Sequence, residues 1–376
     1  VVPGRVPEVE RLPAHAEVVV VGGGVIGAAA AYWLARMGAG VLLLESRLPG
    51  WGASGRNAGL VLGGPASLEM VRATLAEEGI DAGYEEPGHL ALASSDAVLA
   101  SFRRELAARP AGATPLHLLD HAECEALLGT RVAPRFLGGR WMPLAGALHP
   151  ARFVHGLAGA AVRRGAVLAS RTPVRRVRRA AGGGEWEVAT ARGRVRAGRV
   201  VLACSAGAAR LWPPLAGVLA ATRGQVLATR PLPRLFRPGM AVDYGSLYWR
   251  QTGDGTVVLG GLFGLDPERE RSAREALNPR IQGALERFLP EAFPDLPPVA
   301  VARRWAGIMD ATPDGRPVVG EWPDAPGLWV AAGFGGHGLP PALGTGRALA
   351  RAIVEGERPA ELDALDPGRF RETVPC

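Results

Sequence analysis

Gly22, Gly24 and Gly27 stand between a run of valines and a run of alanines, at the spacing of a dinucleotide-binding turn. In such a turn the first glycine permits a sharp exit from a strand. The second lets the backbone approach a pyrophosphate with no Cβ in the way, and the third lets helix pack closely on strand. The helix opening here would offer free N–H groups and the positive end of its dipole to phosphates. Glu45 follows 18 residues after Gly27, where an acid would accept hydrogen bonds from ribose hydroxyls.

A second segment follows almost at once. Gly50-Trp-Gly-Ala-Ser54-Gly-Arg56-Asn57-Ala58-Gly59 is rich in small and polar residues, a composition suited to running backbone beside a long cofactor. Asn57 is one of only two asparagines, with Asn278. The plainer alternative is a surface loop.

Other chemistries are excluded. The chain contains no lysine, so all 43 basic residues are arginine. A phosphate loop ending in GK[ST] and a Schiff-base lysine are therefore impossible. Cys124, Cys204 and Cys376 are scattered with no CxxC pair, which suggests no metal site and a reducing, cytoplasmic setting.

The elements needed to position these residues can be read around them. Glu17–Val21 is a β-branched run suited to a buried parallel strand, Ala28–Met37 a helix stopped by Gly38, and Val41–Glu45 a second strand. Together they make a βαβ unit. Further on, the sequence predicts a strand at His89–Ala93, helices at Ser101–Ala108 and Ala151–Arg164, a strand near Val174, a hairpin around Gly182–Gly184 and a strand at Arg199–Cys204. It also predicts strands through 223–300 with a helix at Ala273–Phe288, a strand at Leu328–Ala332, and a helix at Gly344–Glu355. The fold class expected is α/β, a Rossmann-like nucleotide domain with a sheet-rich α+β substrate domain. Residues 14–85, 147–222 and 303–376 would form the first, and 86–146 and 223–302 the second, with the ligand between them.

With 376 residues, 48% hydrophobic and 21% charged, the chain has ample core and is neither disordered nor collagen-like. The net charge of +7 accompanies abundant Ala, Gly, Arg and Pro, a pattern of coding bias rather than of nucleic-acid binding. The cluster Arg175, Arg176, Arg178 and Arg179 reads as a solvated strand. Residues 1–17 carry Pro, Arg and Glu and do not read as a signal peptide. The uncharged stretch Val18–Ala35 is split by glycines, so no membrane span is expected.

On these motifs the chain resembles the FAD-dependent D-amino-acid oxidase superfamily, in its glycine oxidase and sarcosine oxidase branch. The likeness runs through GASGRNAG, RVVLACSAGAARL, YWRQTGDGTVVLGG, WAGIMDATPDGRPVVG and GLWVAAGFGGHGLPPALGTGRALA. It implies FAD, with Gly22, Gly24, Val25, Ile26 and Gly27 at the pyrophosphate and Glu45, Ser46 and Arg47 at the adenosine ribose. Ser54, Arg56, Asn57, Ala58 and Gly59 would line phosphates and flavin, and Val174 would meet the adenine side. Cys204, Ser205 and Gly307 would lie beside the cofactor, and Gly336, His337, Gly338 and Leu339 would approach the pyrimidine end of the flavin.

The resemblance also has departures. Gly307 stands where covalent members carry a flavin-linking cysteine, which implies noncovalent FAD. Val258 and Pro340 replace lysines, and Met309 replaces a substrate-binding arginine. The implied reaction is hydride transfer from a carbon bearing an amine to flavin N5, then imine hydrolysis, with O2 as acceptor and peroxide as product. No dedicated catalytic residue is required, since the flavin bears the hydride step. Tyr248, Arg250, Met309 and His337 are the candidates for substrate binding. An apolar Met309 suits a larger amine such as an N-substituted glycine. The alternatives are a D-amino-acid or proline-type dehydrogenase using another electron acceptor, an RNA-modifying N-carboxymethyl oxidase, and a non-enzymatic flavin-binding subunit.

Overall fold

In the computed structural model, which describes residues 6–110 and 113–371, the valine run is buried on both faces. The chain begins with β1 (His15–Val21), α1 (Val25–Arg36), β2 (Val41–Leu44), β3 (Leu60–Val61) and α2 (Pro65–Glu78). It continues through β4 (His89–Leu92), α3 (Asp96–Ala107), β5 (His117–Asp120), α4 (His121–Leu128), β6 (Gly138–Met142) and β7 (Gly146–Ala147). Next come α5 (Pro150–Arg163), β8 (Val167–Ala169), β9 (Val174–Arg179), β10 (Trp186–Thr190), β11 (Gly193–Leu202) and α6 (Ala208–Leu211). β12 (Ala220–Thr229), β13 (Gly239–Val242), β14 (Leu247–Gln251), β15 (Val257–Gly261), α7 (Pro267–Glu270) and α8 (Pro279–Ala292) follow. The last elements are β16 (Val301–Ala311), β17 (Val318–Glu321), β18 (Leu328–Ala332) and α9 (Ala342–Val354).

The first sheet has the order β17-β18-β11-β1-β2-β8, and only the β17–β18 pair along it is antiparallel. Alternation decides its two faces. Val18 and Val20 join a core with the alanines of α1, the apolar side of α5 and α9, while Val19 and Val21 face a core built with Val177, Trp186, Val188 and Val195. The second face is thus covered by the β9–β10–β11 meander rather than by helices. The alanine content of α1 is what lets α9 approach: a Cβ at Gly346 would lie 2.6 Å from the Ala29 carbonyl carbon.

The second sheet has the order β16-β12-β15-β14-β13-β4-β6-β5. One face packs α8 through Ile281, Leu285 and Leu289 against Leu227, Trp249 and Leu259. β12 and β16 pair along nearly their full lengths. Residues 301–311 therefore sit in this sheet, although composition alone places a nucleotide-type stretch from Arg303 onward.

Two helices differ from expectation. α3 starts at Asp96, five residues early, because Ser95 caps it by accepting from the Val98 N–H. α8 starts at Pro279 rather than Ala273. Asn278 is its N-cap and Pro279 takes the first turn, where a missing N–H costs nothing. The preceding residues form a strap across the molecule instead.

Candidate active site

β1 delivers the chain into Gly22 at φ 110°. A Cβ at Gly22 would stand 2.5 Å from the Ala203 carbonyl oxygen, and one at Gly27 1.9 Å from the Gly22 carbonyl oxygen, so neither position admits a side chain. The first N–H of α1, on Val25, donates to Ser54 Oγ at 3.0 Å. Those of Ile26 and Gly27 find no acceptor among the described residues, which leaves the helix start open to an anion. Glu45 closes the turn from the other side. Its Oε2 accepts from the Gly23 N–H at 2.7 Å, and Oε1 accepts from Ser46 Oγ and the Arg47 N–H. Residues 171 and 172 hydrogen-bond back to Arg47 and Glu45, which brings Val174 into the same neighbourhood. Cys204 abuts Gly22, and burial, reinforced by Asp310, pushes its thiol up to about 12.

Residues 50–59 fold around Asn57. Its amide donates to the Ala53 and Ser54 carbonyls, both at 3.0 Å, and its Oδ1 accepts from the Gly59 N–H at 2.8 Å. That side chain therefore shapes the loop, whereas the resemblance places it against phosphate and flavin. The loop is clasped to β16 by Arg56 donating to the Ala306 carbonyl and Trp305 donating to the Arg56 carbonyl, each at 2.8 Å. Gly307 lies against this loop, where a Cβ would stand in ordinary contact with Ala53, 3.4 Å from its Cα. Arg47 and Arg56 both stack over Trp51 and both pair with Glu275 of the strap, at 3.2 and 3.1 Å.

The face of the second sheet turned away from α8 meets this loop. Alternation puts Tyr248 and Arg250 of β14 there, with Trp305, Gly307 and Met309 of β16. The Met309 thioether lies between Gly224 of β12 and Gly336 of the turn after β18, close enough that a Cβ on either would touch it. Gly338 in the same turn sits near Val25 of α1, and Leu339 is buried in the α1 core. The structure thus joins Met309 to the Gly336–Leu339 turn and to the start of α1. His337 is exposed on that turn. Tyr248 lies across Gly260, and burial pushes its hydroxyl up to about 12.

Arg250 stands apart from the other arginines. It is 5% exposed, and no hydrogen bond or ion pair holds it among the described residues. Burial holds its guanidinium below the usual arginine range, opposed by the field of Glu85 and reinforced by that of Arg234. Its charge in turn reaches His149, the N-cap of α5, whose imidazole is held low by burial first and then by Arg152 and Arg250.

The family model described as FAD dependent oxidoreductase (DAO) matches residues 17–352. The chain belongs to this family. Mouse (Mus musculus) mitochondrial dimethylglycine dehydrogenase is 28% identical over 95% of this chain, which spans 44% of that protein's length. Human (Homo sapiens) mitochondrial sarcosine dehydrogenase is 27% identical, with 96% of this chain and 42% of that protein covered. The chain thus spans less than half the length of these two relatives. The crystal structure of glycine oxidase from Geobacillus kaustophilus superposes with a TM-score of 0.82 at 24% identity, covering 94% of this chain and 98% of that one. No helix among the described residues is long and apolar enough to cross a membrane.

FAD is therefore the cofactor, and the residues fit it. The glycine turn and the unsatisfied amides of α1 could take a pyrophosphate, and Glu45, which closes that turn, could accept from a ribose. Three groups went unnoticed in the sequence. Asp310, nine-tenths buried, accepts from Ser205 Oγ at 2.8 Å and the Gly333 N–H at 2.7 Å, tying the ends of β11 and β18 to β16. Burial pushes its carboxyl upward despite these bonds. A charge inside the apolar run Gly-Ile-Met-Asp-Ala was the available signal. His89, at the start of β4, is buried with neither ring nitrogen partnered, and burial and Arg140 hold it down at about 3. Glu270 is buried in an ion pair with Arg223.

Proposed function

We propose that this chain oxidises a C–N bond of a small amino acid, of the N-substituted glycine type, and that Arg250 and Tyr248 hold the substrate carboxylate. Bound FAD supplies the hydride acceptor for such chemistry. The observation that carries this reading is Arg250, a nearly fully buried guanidinium with no anion of its own. A cation in that state is costly unless an acid joins it, and a substrate carboxylate would complete it with two parallel hydrogen bonds. Tyr248, neutral across the working pH range, can donate one more.

Met309 supplies an apolar wall between the Gly224 and Gly336 backbones, where an arginine would have clamped a smaller substrate. That favours a substituent on the amine over free glycine. Asp310, the acid next to Met309, is already engaged by Ser205 and Gly333 and is not offered as a base. The amine would therefore arrive neutral, its lone pair helping to expel the hydride. His337, on the turn beside Met309, remains a candidate for contact with flavin or substrate.

The first sheet would carry FAD and the second the substrate. FAD would be noncovalent, as Gly307 offers no thiol, and O2 would be the acceptor, giving peroxide. The setting would be cytoplasmic, with no nucleic-acid partner. The testing experiment is anaerobic titration of the yellow protein with amino acids and N-alkyl glycines. Bleaching by N-substituted glycines supports the reading, and no bleaching by any amine rejects it. Peroxide formation in air separates an oxidase from a dehydrogenase, and flavin left on an acid precipitate would contradict noncovalent binding.

A further inference from the structure

The strap between α7 and α8, residues 271–277, is fastened to the second sheet by two side chains of β12. Arg223 donates to the Arg269 carbonyl at 2.8 Å and to the Arg274 carbonyl at 3.2 Å, and Gln225 donates to the Ala276 carbonyl at 3.0 Å. Both side chains are buried, on the face of β12 opposite to that of Gly224, which meets Met309. The carbonyls on either side of Glu275 are thus pinned from below. The Glu275 side chain crosses to the glycine-rich loop, which itself docks on β16, an edge strand of the same sheet, through Arg56 and Trp305.

The segment 47–56 meets the dinucleotide turn at two points. The Arg47 N–H donates to Glu45 Oε1 while Oε2 of the same carboxylate takes the Gly23 N–H, and Ser54 Oγ accepts the first N–H of α1. Arg47 stands at the first point and Arg56 two residues beyond the second. One oxygen, Glu275 Oε2, lies 3.2 Å from Arg47 Nη1 and 3.1 Å from Arg56 Nη1, and both guanidiniums lie over the Trp51 ring. Neither arginine pairs with another acid among the described residues. Two like charges therefore converge on Trp51, and Glu275 offsets their repulsion. Freeing them loosens the segment beside both of its contacts with the turn.

We propose that Glu275 is a latch on the cofactor, a positioning residue that acts through Arg47 and Arg56 to hold segment 47–56 against bound FAD. The second sheet, through its strap, then sets how fast FAD is released from the first. The glycine turn supplies the binding site, and the latch governs its opening. Because the latch is made of solvent-accessible charges, FAD retention depends on ionic strength at this one junction.

The test is FAD release from the holoprotein after dilution, read as the rise of free-flavin fluorescence at low and high salt. The proteins compared are the parent, Glu275→Gln and Glu275→Lys. Two exposed ion pairs predict release about threefold to tenfold faster in Glu275→Gln at low salt. Glu275→Lys, which sets a third positive charge beside Arg47 and Arg56, releases FAD faster still. Both ratios to the parent shrink toward one as salt screens the charges, an order and a salt response that lost strap packing alone would not produce. The parent supplies an arm that needs no variant, since its own release must quicken with salt. Equal release by the parent and Glu275→Gln at low salt, no further acceleration in Glu275→Lys, ratios that salt leaves unchanged, or a parent rate indifferent to salt overturns the inference.

Discussion

Replacing Arg250 with methionine should separate stability from function in opposite directions. Methionine keeps much of the length and the apolar stem and deletes only the charge. The parent guanidinium is 5% exposed and without an acid partner, so it bears a desolvation cost that an effective interior dielectric reduces to several kcal/mol. Removing it should leave the FAD-bound protein as stable as the parent, or more stable by about 1–3 kcal/mol. Removing a buried partner of a carboxylate costs about 2–5 kcal/mol of binding, which is roughly 30-fold to several thousandfold in kcat/KM. Urea unfolding of the holoprotein and steady-state kinetics with an N-substituted glycine measure the two effects. A stability loss above about 2 kcal/mol with unchanged kcat/KM would refute the reasoning and make Arg250 a packing residue.

Four other outcomes follow from the structure. Arg223→Met strands the fully buried Glu270 and should cost about 3–5 kcal/mol of stability in urea unfolding, with Arg223→Met/Glu270→Leu recovering most of it. Burial alone would raise the Glu270 carboxyl, but hydrogen bonds from Arg223, Gln225 and Asn278 outweigh it and hold the group below its ordinary 4.5. Its contribution is therefore complete above about pH 4.5 and lost as pH falls through the lowered value, so Glu270→Gln should flatten the acid limb of a melting-temperature profile. Asn57→Ala removes three loop hydrogen bonds, together about 1.5–4 kcal/mol, and should speed flavin loss on dilution; unchanged retention would show that the loop holds without it. Met309→Arg should shift the kcat/KM ratio toward glycine and sarcosine over longer N-substituents by about tenfold or more, the scale of one charged hydrogen bond, and an unmoved ratio would take Met309 out of the substrate wall.

The nucleotide side was legible because its constraints are local. Gly22, Gly24 and Gly27 act on backbone within six residues, and the valine and alanine runs beside them announce strand and helix in their own composition. Strand 328–332 was read to the residue, because an apolar run bounded by glycine has few other fates. At α8 a cap outranks composition: Asn278-Pro279 starts the helix that the sequence predicts from Ala273. Asn57 illustrates a different limit. Its retention in an asparagine-poor chain marked it as special, but residue type alone does not say whether an amide faces a ligand or its own loop.

The substrate side is harder because its parts meet only through register. Leu90, Met240 and Trp249 are separated by as much as 159 residues and become one row when β4, β13 and β14 pair. A one-residue slip of β14 would send Arg250 into the α8 core and bring Gln251 to the site. Trp249 and Leu247, packed with Ile281, Leu285 and Leu289, forbid that slip. The apolar residues of β14 thus decide which polar neighbour faces the chemistry, and the buried hydrogen bonds of Gln251 give the same register a second anchor. The proposed carboxylate site would draw its precision from the opposite face of its own strand. Substitutions at Trp249 or Gln251 should therefore misplace Arg250 without touching it, raising KM for the carboxylate substrate while FAD remains bound to the first sheet.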